Sequence, residues 1–139
     1  MKQILVGVDG SKECRAALAM AVDLAATRKA LVRMVCVVAP FDAFSADMIA
    51  FPEQSKAHRE AAKAVVDELA REFAKNDAPI ETQVVDGLPA ETLAKLAQQP
   101  EVEMVVVGHR GRGAISRLLI GGVASRLVQI CPKPVLVVR

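Results

Sequence analysis

Glycine residues cluster after the fourth hydrophobic segment of the chain, and they are Gly108, Gly111, Gly113, Gly121 and Gly122. Glycine allows close approach of the backbone to a ligand and permits positive φ, so successive N–H groups can point at one anion. A helix predicted to begin at Gly121 adds free N–H groups and the positive end of its dipole. The cluster therefore predicts a phosphate site. A solvated glycine-rich connector is an equally weighted alternative.

Charged side chains around this cluster favour the same kind of ligand. Arg110 and Arg112 supply guanidinium donors, and no acidic residue follows Glu103, so the C-terminal quarter of the chain is purely cationic. Asp9 follows the first hydrophobic segment and has two interpretations, as a cap of the next helix or as a ligand for a ribose hydroxyl or a metal. His109 could touch a phosphate, but the sequence fixes no nucleophile beside it. We predict no catalytic residue, no metal ligand and no enzymatic activity.

Two common nucleotide-binding motifs are disfavoured. A dinucleotide fingerprint follows the first strand and needs an acid about 20 residues later, whereas this glycine cluster lies after the last acid. A Walker A loop ends in Gly-Lys-Ser/Thr, which is absent here. Only 3% of the residues are aromatic, so base stacking on a sheet is disfavoured as well. We therefore predict no nucleic-acid partner.

The hydrophobic runs and the cysteines indicate the cellular compartment. No hydrophobic run approaches the roughly 18 residues that cross a bilayer, so neither a signal peptide nor a membrane helix is predicted. Three cysteines, Cys14, Cys36 and Cys131, are far apart and form no CxxC pair. We interpret each as a small core residue. A cytoplasmic protein without a membrane partner is expected.

Hydrophobic strand patterns alternate with helical patterns along the 139 residues. Strands are predicted at residues 4–8, 31–39, 80–85, 103–108 and 135–138. Helices are predicted after Ser11 to about Lys29, over 54–76, from Pro89 to before Pro100, and over 121–130. Strict alternation predicts a doubly wound open α/β fold, a five-stranded parallel sheet with helices on both faces, in one domain over 1–139. Ligands of such sheets bind where the strand order reverses, here between the first and fourth strands, which end near Asp9 and Gly108.

Residues 40–53 are predicted to form a loop. Phe41, Phe44 and Phe51 lie in it. They either pin the loop to the body of the protein or belong to a lid or partner surface.

The combination of motifs resembles the universal stress protein (UspA-type) family over the whole chain. It comprises Ile-Leu-Val-Gly-Val-Asp9-Gly-Ser11, Gly87-Leu-Pro-Ala, Gly108-x2-Gly111-x9-Gly121 and the terminal Pro-Val-Leu-Val-Val-Arg139. The resemblance implies the strand order 3-2-1-4-5 and a cytoplasmic homodimer. For the branch with the glycine motif it implies ATP or another adenine nucleotide, with or without Mg²⁺.

The resemblance also implies roles for individual residues. Asp9 would lie by the ribose or the phosphates, and the backbone near Val37 and Val38 would border the adenine. The nucleotide-binding branch typically carries hydroxyl residues at the positions occupied here by Gly122 and Ala124. The predicted nucleotide-binding residues are Asp9, Val38, Gly108, His109, Arg110, Gly111, Gly113, Gly121, Gly122 and Val123.

The leading interpretation is therefore an adenine-nucleotide-binding regulatory module of the stress response. A nucleotide-free protein-interaction module of the same fold, with a partner not identified by the sequence, is the alternative, favoured by the absence of hydroxyls at 122 and 124. An enzyme that activates a substrate with ATP is the least favoured. The homodimer is expected to pair through the last strand, Val135, Leu136, Val137 and Val138, which carries no internal charge or proline.

Overall fold

A computed structural model describes residues 1–39, 52–110 and 121–139, and strands alternate with helices along them. The elements are β1 (Gln3–Gly7), α1 (Lys12–Arg28), β2 (Leu31–Val38), α2 (Pro52–Glu72), β3 (Ile80–Asp86), α3 (Pro89–Ala97), β4 (Val102–Gly108), α4 (Gly122–Ile130) and β5 (Val135–Val138). These strands form one sheet of order β3-β2-β1-β4-β5. All its pairings are parallel. The predicted fold class and strand order are confirmed.

Two predicted boundaries of α2 were wrong. Residues 52 and 53, assigned to the loop, belong to the helix, and the helix ends at Glu72 instead of near Asn76. The other residues of the predicted loop, including Phe41, Phe44 and Phe51, lie outside the described part of the chain. Pro52 can begin α2 because proline is tolerated in the first turn of a helix, where the N–H that it lacks would have no partner.

The sheet separates two hydrophobic cores because successive strand residues point to opposite faces. Ile4 and Val6 face α1 and α2, where Leu18 and Leu69 are fully buried. Leu5 faces α3 and α4, with the buried residues Val35, Leu93, Val105 and Leu127. Each such side chain contributes about 1.5–3 kcal/mol by leaving water. Within the described ranges no polar or charged residue is fully buried.

The turn after β1 is fixed by side-chain caps. The Ser11 hydroxyl accepts a hydrogen bond from the N–H of Cys14 at 3.1 Å, so Ser11 is the N-cap of α1, which was predicted to begin after this residue. At the other end of the helix, Lys29 adopts the left-handed conformation with φ of 54°. Both ends of α1 are thereby defined, and the first turn of the helix lies at the carboxyl end of β1.

The two edge strands direct alternate backbone groups away from the sheet. The carbonyls of Pro134 and Val138 accept N–H groups from Val105 and His109 at 2.9 and 2.7 Å. The N–H and C=O of Val137 therefore point outward, because the backbone of a strand alternates sides. On the opposite edge, the carbonyl of Pro79 accepts from Val32 and the N–H of Gly87 donates to Val38. These odd-numbered positions face β2, so the N–H and C=O groups of the even-numbered β3 residues point away from the sheet.

The remaining residues noted in the sequence are placed as follows. Cys14 and Cys36 are buried as predicted, whereas Cys131 is only partly buried. None of the helices in the described ranges is both long enough and apolar enough to cross a membrane.

Candidate functional site

A groove of about 430 Å³ lies at the carboxyl ends of β1 and β4, where the strand order reverses. Its lining combines aliphatic strand residues, a glycine-rich rim and a few polar side chains. The described lining residues are Gly7, Val8, Asp9, Cys14, Val35, Val37, Pro89, Leu93, Val107, Gly108, His109, Arg110, Gly121, Gly122, Val123 and Ala124. The reversal of strand order thus creates a cavity at the position expected from the sequence.

Most of the predicted nucleotide-binding residues meet at this groove. Those that line it are Asp9, Gly108, His109, Arg110, Gly121, Gly122 and Val123. Gly111 and Gly113 lie outside the described residues. Val38 does not line the groove: its side chain packs in the core under α1 and α2, and its carbonyl accepts the N–H of Gly87 at 3.0 Å. Val37, the other residue expected to border the adenine, lines the groove.

Asp9 is held by the turn that starts α1. One carboxylate oxygen, Oδ1, accepts the N–H of Ser11 at 2.9 Å. Between them Gly10 has φ of +83°, a conformation that glycine adopts without strain. The interpretation of Asp9 as the cap of α1 is therefore wrong: Ser11 caps the helix, and this oxygen of Asp9 holds the turn that precedes it. Because Asp9 also lines the groove, a role toward a ligand is compatible with that position.

Gly108 allows the end of β4 to touch the first turn of α1. A Cβ atom at Gly108 would lie 2.9 Å from the backbone carbon and oxygen of Glu13. Next to it, the N–H of Gly121 donates to the carbonyl of His109 at 2.5 Å, and the N–H of His109 donates to Val138. The backbone on either side of residues 111–120 is thus joined at the edge of the groove.

The described residues leave the start of α4 open to an anion. Gly121 is the N-cap and offers no side-chain hydrogen bond, and the first turn carries no acidic residue. The first N–H groups of any helix have no acceptor inside it, and the dipole places positive charge there. Beside Gly122, no described atom lies within 4 Å of the position of a Cβ. The start of α1 differs, because Ser11 already caps it.

Arg110 and His109 lie side by side in the lining of the groove. Arg110 Nε donates to His109 Nε2 at 3.0 Å, which leaves the proton of a neutral imidazole on Nδ1. That Nδ1 atom is buried and has no hydrogen-bond partner among the described atoms. Buried polar atoms ordinarily have a partner. The ring therefore has unused hydrogen-bonding capacity next to the groove.

Cys14 contributes a neutral thiol to the lining. Burial is the largest effect on its ionisation and raises the pKa of the thiol, with a smaller contribution of the same sign from the Asp9 charge. Its Sγ donates to the carbonyl of Ser11 at 3.1 Å. Because the thiolate is the nucleophilic form, this cysteine is not activated. No group of three His, Cys, Asp or Glu that could hold a metal ion occurs in the described ranges.

Some aliphatic residues of the lining, among them Val35 and Leu93, were not named from the sequence. Val35 and Leu93 are buried, and Gly7 leaves room for Leu93, since a Cβ at Gly7 would lie 2.8 Å from Leu93 Cδ1. Strand alternation was the available signal for Val35, because Val35 and Val37 point to the same face of β2.

A parallel sheet with helices on both faces and a groove where the strand order reverses defines a doubly wound α/β protein with a switch-point site. The chain belongs to the universal stress protein family, whose sequence model matches residues 1–139. A putative universal stress protein of Staphylococcus haemolyticus is 30% identical over 141 residues, which cover 99% of this chain and 84% of the relative. The structure of UspA from Lactobacillus plantarum superposes with a TM-score of 0.88 at 28% identity, over 99% of this chain and 97% of the other.

Two further solved structures share the fold and hold a ligand. A universal stress protein in complex with cAMP matches with a TM-score of 0.65 at 23% identity, over 99% of this chain and 97% of the other. The universal stress protein from Archaeoglobus fulgidus in complex with dAMP matches with a TM-score of 0.63 at 20% identity, over 100% and 98%.

Proposed function

We propose that this universal stress protein is a regulatory module of the stress response that binds ATP, with or without Mg²⁺, or another adenine nucleotide. The observation that carries the proposal is the start of α4, which has no side-chain cap among the described residues and lies in the same switch-point groove as Arg110. Helix N–H groups, a positive dipole end and a guanidinium together suit a phosphate. The cAMP and dAMP complexes of proteins with this fold add support for an adenine nucleotide.

The lining residues suggest where the base, the ribose and the phosphates of a nucleotide would lie in the groove. Val35, Val37 and Leu93 offer an apolar surface that suits a base, and Asp9 offers a carboxylate for a ribose hydroxyl. The phosphates would take the N–H groups that begin α4, together with Gly108 and, outside the described residues, Gly111 and Gly113.

Adenine nucleotides should raise the melting temperature of the protein. A ligand at about 100 times its dissociation constant stabilises the native state by roughly 2.7 kcal/mol, which corresponds to several degrees at this chain length. The measurement is a melting curve with millimolar ATP, ADP or AMP, with and without Mg²⁺. Melting temperatures that none of these ligands changes would contradict the proposed function.

The substitution Gly122→Ser should tighten nucleotide binding. Gly122 is the first residue of α4, and no described atom would crowd an added side chain. One restored hydroxyl contributes about 1 kcal/mol as a neutral hydrogen bond, or roughly a fivefold gain in affinity for ATP. Paired calorimetric titrations with ATP and adenosine test this, and adenosine affinity should stay constant. Equal ATP affinities of the two proteins would mean that the start of α4 does not hold phosphate.

A nucleotide-free interaction module of the same fold is the second candidate function. The observation that favours it is the absence of a hydroxyl at positions 122 and 124 of α4, where Gly122 is exposed and Ala124 is buried in the core. Release of adenine nucleotide from heat-denatured purified protein would separate the two candidates. A clean supernatant together with an unchanged melting temperature would favour this alternative.

We further propose that the protein is a cytoplasmic homodimer paired through the β5 edge. Val135, Leu136, Val137 and Val138 carry no charge, and each is only partly buried. An unprotected edge with outward N–H and C=O groups favours pairing with a second strand, and a symmetric dimer closes both edges at once. Three cysteines without a disulfide are consistent with a reducing compartment.

A further inference from the structure

Arg15 of α1 joins three parts of the molecule near the groove. Its Nε and Nη2 donate to the two carboxylate oxygens of Glu72, both at 3.2 Å. Nη2 also reaches Glu68 at 3.5 Å. The remaining terminal nitrogen, Nη1, donates to the carbonyl of Gly10 at 3.0 Å. One guanidinium therefore connects α2 with the turn that follows β1.

That turn presents Asp9 to the groove. The N–H of Ser11 is bonded to Asp9 Oδ1, and the Ser11 hydroxyl and carbonyl are bonded to Cys14. Arg15 adds an external restraint on the Gly10 carbonyl, whose residue has positive φ. Val65 of α2 packs close to Gly10, since a Cβ at Gly10 would lie 3.3 Å from Val65 Cγ2.

The ion pair has the geometry that makes such contacts effective. A two-bond contact between a guanidinium and a carboxylate fixes the orientation of both groups, unlike a single flexible pair. The hydrogen bond with Glu72 is the largest effect on Arg15 ionisation and raises the pKa of the guanidinium above its ordinary value. Arg15 is therefore a permanently charged donor toward Gly10.

We propose that Arg15 is a positioning residue, which fixes the Asp9–Gly10–Ser11 turn against α2 and so holds Asp9 ready for a ligand. Its effect on binding rests on the proposed nucleotide function, whereas its effect on the turn does not. Rigid placement of a binding group lowers the entropic cost of association. Glu72 then influences the groove from α2 without lining it.

The test compares Arg15→Ala with Arg15→Lys, Glu72→Gln and a matched control. Arg28→Ala is the control, because it removes an arginine of the same helix that pairs with Glu103 at 3.6 Å, at the far end of α1. The first measurement is the solvent-exchange rate of the Ser11 amide by NMR in the protein without nucleotide. The second is calorimetric titration with ATP and with adenine, which lacks the ribose and the phosphates.

Arg15→Ala should speed exchange at Ser11 and weaken ATP binding by about three- to tenfold, the effect of one lost hydrogen bond. Adenine affinity should be unchanged, Arg15→Lys should recover part of the loss, and Glu72→Gln should lose about twofold. Arg28→Ala should change neither measurement.

Unchanged exchange at Ser11 in Arg15→Ala would overturn the positioning role, and so would faster exchange with unchanged ATP affinity. A wild-type protein that binds no ATP contradicts the proposed function instead. The exchange rates then still decide whether Arg15 fixes the turn, so the two failures are distinguishable.

Discussion

Replacing Gly108 with alanine should lower the free energy of unfolding by about 1–3 kcal/mol, the cost of an extra methyl group in a tightly packed place. The added Cβ would lie 2.9 Å from the backbone of Glu13. A backbone cannot move aside as a flexible side chain can, so the first turn of α1 has to shift. At this chain length the melting temperature should fall by roughly 4–12 °C.

Gly122→Ala is the matched control for this substitution. No described atom lies within 4 Å of the Cβ position at Gly122, which begins α4. Alanine is the better helix former, so stability should be unchanged or rise by less than about 1 kcal/mol. Urea unfolding of the two variants and the wild type measures the difference. Equal effects of the two alanines would contradict the close contact between β4 and α1.

Val137→Pro should convert the proposed dimer into a monomer. The N–H of Val137 points away from β4, so proline removes an outward donor and leaves the bonds at Pro134 and Val138 in place. Sedimentation equilibrium at tens of micromolar should give twice the chain mass of 14.8 kDa for the wild type and a single chain for the variant. The effect is expected to be large because a strand of only four residues has few alternative pairing groups.

Thr82→Pro supplies the control on the other edge of the sheet. Thr82 is exposed on β3, and its backbone points outward by the same alternation. This variant should remain dimeric and folded. A wild-type monomer, or a dimer that persists in Val137→Pro, would overturn the proposal that β5 is the interface.

The sheet could be predicted from the sequence because the hydrophobic pattern of its strands differs from that of its helices. Continuous apolar strands alternating with helices permit few topologies, and Ser11 marks the start of α1 with a local hydrogen bond. The end of α2 was misjudged for a physical reason. Phe73 packs against the core beyond the helix, and the bond from Ala74 to Arg71 spans three residues instead of four. The apolar pattern therefore continued past the last regular turn.

The candidate site was predictable to the extent that it depends on the sheet. Asp9 follows β1 and Gly108 ends β4. The carboxyl ends of parallel strands share one edge of the sheet, and both residues line the groove there. The backbone near Val37 and Val38 was expected to border the adenine; Val37 lines the groove, whereas the side chain of Val38 packs in the core on the other face of the strand. The contact of Arg15 with Glu72 joins residues 57 positions apart. Such a contact depends on how two helices pack, which no local pattern specifies.

The hydrogen bond between His109 and Gly121 brings together two backbone positions that flank the glycine-rich segment. The entropic cost of a segment with joined ends grows slowly with its length, by about 0.6 kcal/mol for each doubling. Both anchors belong to the ends of β4 and α4, whose positions are set by the two cores. The cores therefore hold both ends of residues 111–120 in place, and we expect the scaffold to keep its structure when the length or composition of that segment is changed.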